Sequence, residues 1–394
     1  MRAGQDMVCK VAVINIEADW EAYIQITGLR TWAHKDHPCP CCFANKDELQ
    51  NMHVQTLSDI GHELYTDEAY QNDLQANFKE VLIESIADRT RLYHKFAYHK
   101  DYRGRYLRDQ DIELGLPKFA RLEPSIDLPD ISWFEKLEVP FKATFFIASL
   151  RTRVIHKCCL FEIPGVTMQS WAIDLLHAWH LHGPIASYIG LSLHSLLKSG
   201  LLMNNTPGLD NEEQMRLALM HLKSHMWMYY KNKRADEHWK RTGTEVWNLS
   251  LCMLGKTQRP SLNAKAKETH GLLEFTVKML EDHIGFTDNQ PALKCVWVNL
   301  IEAGKAALMF DSIINTDSNV LNETEINDMF VSFQRFACLY ANAGGETIPK
   351  FHLMFHLIQR SRVLGNPRKH MTYYHENVNG QIAKIALATE PLGQ

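Results

Sequence analysis

The sequence predicts an α+β chain that is predominantly helical, with a few strands near its beginning and a large helical body after them. Three observations carry this. Residues Lys10 to Ile16 (KVAVINI) are β-branched and almost continuously apolar, as a strand buried on both faces is. Residues Lys142 to Ser149 (KATFFIAS) and Val154 to Ile163 (VIHKCCLFEI) repeat that signal, and Pro164-Gly165 ends the second. From Met168 onward the apolar spacing is helical throughout.

Taken in order, Asp19 closes the first strand, and Trp20 to Leu29 read as a short helix ending near Gly28. The Pro- and Cys-rich run His34 to Cys42 (HKDHPCPCC) requires a tight loop. Asp47 to Gln110 is helical in period and polar in composition, and Pro117, Pro124, Pro129 and Pro140 mark an irregular connection. Helices are then expected over Met168 to Leu201, Asn211 to Lys240, Asn263 to Ile284, Ala292 to Ile314, Glu323 to Ala341 and Lys350 to Val363, with a last one over Glu376 to Ala388. The divisions that follow are 1–57 (strand, helix and Cys loop), 58–140 (basic and aromatic segment with its Pro-rich connection), 141–170 (returning strands), 171–345 (helical insertion) and 346–394 (C-terminal helices). No internal repeat or low-complexity tract interrupts them.

Composition bounds the chemistry. The 394 residues suffice for a large core, and 45% hydrophobic with 22% charged residues excludes disorder, collagen and coiled coil as descriptions of the whole. Histidine stands out: 20 His accompany 9 Cys, which raises the prior for a metal site. The odd cysteine count suggests reduced thiols or ligands in an intracellular setting. A signal-peptide core is not evident, and the apolar stretch Ile185 to Met203 carries His194 and Lys198, so it reads as a buried helix in a soluble protein with no membrane partner. The net charge of −4 excludes a chain that is basic throughout but not local basic patches.

Several constellations could carry function. Cys39-Pro40-Cys41-Cys42 contains a C-x-x-C, whose spacing lets two thiolates take adjacent corners of a tetrahedral metal. His177 and His180 share one side of a predicted helix, and with Cys39 and Cys42 they would complete a Cys2His2 site for structural Zn2+. His34, His37 or the third thiol Cys41 are alternative ligands, and buried thiols with core histidines are the plain alternative. His352 and His356 also share a helix face, but Phe351, Leu353, Met354, Phe355 and Leu357 around them favour an ordinary core helix. Asp19 and Asp174 stand where an α/β scaffold places acids, although an aspartate after a strand is commonly a helix N-cap.

Arg89, Arg91, Lys95, Lys100, Arg103, Arg105 and Arg108 are interleaved with Tyr93, Phe96, Tyr98, Tyr102 and Tyr106 and opposed only by Asp101, a pattern suited to phosphates and stacked bases. Lys223 to Arg241 repeats it more weakly; in both, a solvated helix face with inward-packed rings is the alternative. Phosphate-loop, G-x-G-x-x-G and G-x-S-x-G motifs are absent, so nucleotide-dependent and α/β-hydrolase chemistry lack support.

The run Ile16 to Gly28 followed by Cys39-Pro40-Cys41-Cys42 resembles the "strand, D-F-P-A-Y, G-W, C-P-x-C" segment of transposases of the CACTA (En/Spm) group. Asp174-Leu175-Leu176-His177 is similar to that group's D-x-M-H element, and Asn263 to His270 to its "K-x-H-D-x-H" stretch. Lys350 to His356, Gly365-Asn366-Pro367 and His375 to Gly380 resemble its closing "H-x-x-x-H, G-P, E-R-x-N-G" segment, in the same order. The resemblance implies a partial RNase H-like strand core with a large helical insertion, nuclear DNA as partner, and carboxylates that bind two Mg2+ ions for phosphodiester transfer. By position, Asp19 would be the second acid and Glu376 the last; Asp174 could serve as a third, though its D-x-x-H context more naturally makes it part of the Cys/His knuckle. The family's first acid lies on a strand upstream of this segment, and the chain starts only nine residues before Lys10, which leaves Asp6 alone as a candidate. Trp20, Glu21 and Asn377 also depart from the pattern. The expectation is therefore a transposase-like DNA-binding protein, truncated or degenerate and catalytically impaired, with a non-catalytic zinc-stabilised nucleic-acid-binding or scaffold protein as the alternative.

Overall fold

The computed structural model describes residues 16–18, 38–54, 63–64, 66–70, 166–202, 208–235 and 245–372, with single positions at 24, 29, 32, 56, 72 and 163. The chain divides into two compact units, one of Met1–Val13, Ile24–Arg30 and Tyr65–Met168, the other of Ile14–Tyr23, Thr31–Leu64 and Gln169–Gln394. In the first, Thr66 opens the turn over 67–70 by accepting the Ala69 amide at 3.1 Å, and Asp67 accepts the Met168 amide at 2.9 Å. Its expected strands at Lys142 to Ser149 and Val154 to Ile163 and the basic segment from Arg89 to Arg108 lie outside the described residues, apart from Ile163 itself.

The second unit is mostly helical with a small sheet. Strand β1 (Ile16–Ala18) pairs in parallel with β2 (Trp171–Ile173), Ile16 opposite Trp171 and Ala18 opposite Ile173. A short antiparallel pair, β3 (Gly255–Lys256) and β4 (Arg259–Pro260), sits among the helices. These are α1 (Pro184–Lys198), α2 (Asn211–Ala235), α3 (Ala266–His283), α4 (Pro291–Ile314), α5 (Glu323–Asn342) and α6 (Pro349–Leu364). Their starts are written in the sequence. Prolines 184, 291 and 349 stand at the first turn of α1, α4 and α6, where the missing N–H costs nothing. Asn322 opens α5 by accepting the Glu325 amide at 2.9 Å while Glu325 accepts the Asn322 amide at 2.7 Å.

One expectation is corrected here. Met168 to Leu201 is not a single helix: it contains β2, then a π-helix over Leu176–His180, then α1. His182 adopts a left-handed φ of 50° at the junction, and a Cβ on Gly183 would lie 2.5 Å from the carbonyl oxygens of Ala178 and Trp179. A helix cannot run through that turn.

The core is aromatic. Trp179 is fully buried and lies 4.9 Å from Phe310 and 5.1 Å from Phe336, ring to ring, and Phe351 stacks on Phe336 and Tyr340. Such rings each bury a large apolar area, and these contacts hold α4, α5 and α6 against the π-helix. Beyond α6 the chain is tied back by Asn366, whose amide group donates to the carbonyls of Ile314 at 3.0 Å and Ser318 at 3.1 Å and accepts the Arg368 amide at 3.0 Å. Asn366→Ala strands the buried Ile314 carbonyl and takes the bond from Ser318, and urea denaturation should show a loss of about 2 kcal/mol; a loss within error would show that the loop re-forms without it. Among the described residues no helix is long and apolar enough to cross a membrane.

Candidate metal centre

Cys39 and Cys42 sit in the loop after β1, held by one local bond and by pairing with the segment at Glu63 and Leu64. The loop's Cys41 amide donates to the Cys39 sulfur at 3.4 Å, Phe43 donates to the Glu63 carbonyl at 3.0 Å, and Cys42 bridges to Leu64. Opposite it, α6 presents His352 and His356 one turn apart on the face that the loop covers. The Cys42 Sγ lies 3.3 Å from the Nε2 of each imidazole, the two Nε2 atoms are 3.1 Å apart, and all four ligand atoms, including the Cys39 sulfur, lie within 4.8 Å of one another.

These separations suit a tetrahedral Zn2+. Zinc bonds of about 2.3 Å to sulfur and about 2.0–2.1 Å to nitrogen put ligand atoms roughly 3.3–3.8 Å apart. Protonation agrees with the same reading. Burial holds His352 down at about 4, the neutral form that ligates, while burial pushes the Cys39 thiol up, so that a cation is needed to hold it as thiolate. A buried Cys2His2 cluster able to hold a metal such as zinc is thus present.

The histidines differ from those the sequence favoured. His177 and His180 are both on the π-helix, but neither reaches the thiols. His177 Nδ1 bonds to Asp174 Oδ2, and His180 instead faces Asp311, its Nε2 3.9 Å from Oδ1. The Phe and Leu neighbours of His352 and His356 do make a core helix, and the metal set is inside that core.

Asp174 follows β2 directly and is almost fully buried. Its Oδ1 accepts the amides of Leu176 at 3.0 Å and Thr372 at 3.1 Å, and its Oδ2 accepts the Thr372 hydroxyl at 2.7 Å and the His177 ring N–H. Burial raises its pKa, but the bonds from His177 and Thr372 outweigh that and leave it below the usual carboxylate value. Asp174 and His177 line a cavity of about 800 Å³, together with Lys46, Arg259, Lys350 and Arg360. Lys350 caps the π-helix there, donating to the carbonyls of His177 at 2.7 Å and Leu181 at 2.8 Å.

A carboxylate offers about four lone-pair sites. Asp174 has donors on all of them, so the residue does not fit as an Mg2+ ligand in this arrangement. Asp19, Glu376 and the basic set from Arg89 to Arg108 lie outside the described residues. In the second basic stretch two of the described charges are paired: Lys233 with Glu274 at 2.6 Å, and Arg234 with Glu245 at 2.8 Å while lying over the Trp247 ring.

A second group, His180, His270 and Asp311, also brings ligand atoms within 4.8 Å. Burial pushes Asp311 up, but His180 and His270 beside it bring its carboxyl well below the usual range. Compared with family models, with curated proteins and with solved structures, the chain matches none.

Proposed function

We infer that the protein is a transposase-derived DNA-binding protein, zinc-stabilised, that grips a DNA backbone in the nucleus without Mg2+-dependent cleavage. One observation carries the reading. The chain leaves the strand pair after β2, builds the helices from Pro184 to Asn342, and returns through α6 to the Cys loop that follows β1. A strand core interrupted by a long helical insertion is the organisation that the CACTA resemblance implies for an RNase H-like core, and here the Cys loop and α6 meet where the insertion ends. β1 and β2 are parallel, and in the sequence each runs directly into an aspartate, Asp19 and Asp174. The saturated carboxylate of Asp174 supports a binding protein over a nuclease, since a two-metal site needs open carboxylate oxygens.

The DNA-contacting groups are assigned to Arg89, Arg91, Lys95, Lys100, Arg103, Arg105 and Arg108. A duplex of random sequence tests this by fluorescence anisotropy. If these side chains neutralise about six phosphates, affinity falls roughly 10³-fold between 50 and 200 mM salt, and R103E/R105E lowers the log–log salt slope by about two. Binding that ignores salt overturns the DNA reading; strand cleavage on adding Mg2+ overturns the non-cleaving half of it.

A further inference from the structure

The His180, His270 and Asp311 group has no role in the Cys2His2 clasp or in the DNA reading, and its polar atoms are left in an unusual state. His180 is 3% exposed, and among the described residues neither of its ring nitrogens has a hydrogen-bond partner. The Oδ2 of Asp311, itself 4% exposed, likewise lacks one. Burying such atoms without partners costs about 1–3 kcal/mol each, so a fold that keeps them together calls for something between them. The His270 Nε2 completes the set from the third side, 3.4 Å from Asp311 Oδ2, with the His180 and His270 rings edge to face at 5.0 Å.

We propose that His180, His270 and Asp311 form a second metal site, distinct from the Cys2His2 cluster, that takes a divalent first-row transition ion such as Zn2+ through two imidazole nitrogens and Oδ2. The donor set suits this class, because imidazole with carboxylate selects Zn2+ or its neighbours over Mg2+ or Ca2+, which prefer all-oxygen cages. The carboxylate is already oriented: the Trp179 indole N–H donates to Oδ1 at 2.8 Å, His180 Nε2 lies 3.9 Å from that oxygen, and Oδ2 is turned to His270. Support of this kind around a ligand fixes its aim and its affinity. The His270 side chain is 41% exposed, which gives the ion a way in and leaves its fourth position to water. The ligands come from the π-helix, α3 and α4, so the ion ties the helical insertion to the segment that carries Asp174.

Metal content of the full-length protein equilibrated with Zn2+ and then freed of loose ion tests the site. The expected result is two zinc equivalents. His270→Ala, a change at a partly exposed position, should bring the count to one, and Asp311→Asn should do the same. With Co2+ in place of zinc, wild type and His270→Ala should share an undiminished thiolate-to-cobalt charge-transfer band, while only wild type shows the added weak bands of a nitrogen and oxygen site. A single equivalent in the wild type, or a second that survives His270→Ala, overturns the proposal. Retention of the thiolate band in His270→Ala certifies that the variant is folded.

Discussion

Cys42→Ser is expected to lose one zinc equivalent and to unfold at markedly lower denaturant than the parent. The Cys42 sulfur is the atom that both imidazoles approach at 3.3 Å, so its replacement opens the clasp at its centre. An ion that binds only the native state at a thousand times its Kd adds about 4.1 kcal/mol, and the variant forfeits this. It also takes from His352 and His356 the sulfur that both of them face. Urea denaturation at fixed free zinc, with metal content measured on the same samples, reads both effects. His177→Ala is the contrast, since it removes a residue that bonds Asp174 and should leave the zinc at the clasp untouched. Full stability with full metal content in Cys42→Ser would sink the assignment of this site, and loss of the clasp zinc in His177→Ala would restore the ligand set that the sequence favoured.

What a sequence can carry about such a cluster is bounded by distance along the chain. The C-x-x-C spacing is local, so Cys39 and Cys42 are legible. Their partners lie some 310 residues away, where spacing along the chain says nothing about distance in space. His177-Ala-Trp-His180 and His352 to His356 offer equally good helical spacing, and apart from the D-x-M-H resemblance around His177 the apolar neighbours are the basis for choosing between them. That criterion fails when the metal set is itself buried in the core, because ligands and core then share a face. The helices from Asn211 to Leu364 were legible to within a few residues because prolines and an Asn cap mark their starts. β2 is not legible: three apolar residues between Ser170 and Asp174 are too few to show a period, and the π-helix after it has no distinct signature. On α2, Lys233 and Arg234 are taken up by Glu274 and Glu245, which lie far along the chain or beyond the helix end, so the sequence does not show those pairs.

Asp174 is the residue for which family resemblance and local chemistry make opposite predictions, so Asp174→Asn decides between them. An acid that holds a catalytic ion is dispensable to the fold, and removing it leaves stability intact. The arrangement around Asp174 makes it a structural anchor instead, with amides of Leu176 and Thr372, the Thr372 hydroxyl and the His177 ring all donating to it. Asparagine keeps the shape but turns one acceptor into a donor and removes the charge, which should destabilise by roughly 2–4 kcal/mol given the strength of bonds to a buried ion. The pH dependence gives a second reading of the same fact. The folded pKa of Asp174 lies below the unfolded value of about 3.9, so its contribution is complete above that value and is lost as pH falls through the depressed folded pKa. The stability of the wild type should therefore fall more steeply than that of Asp174→Asn below about pH 4. Salt-dependent DNA affinity measured at neutral pH should be the same for both proteins. Unchanged stability and an unchanged acid limb in the variant would return Asp174 to the role of a free metal-binding acid, and with it the case for Mg2+-dependent chemistry.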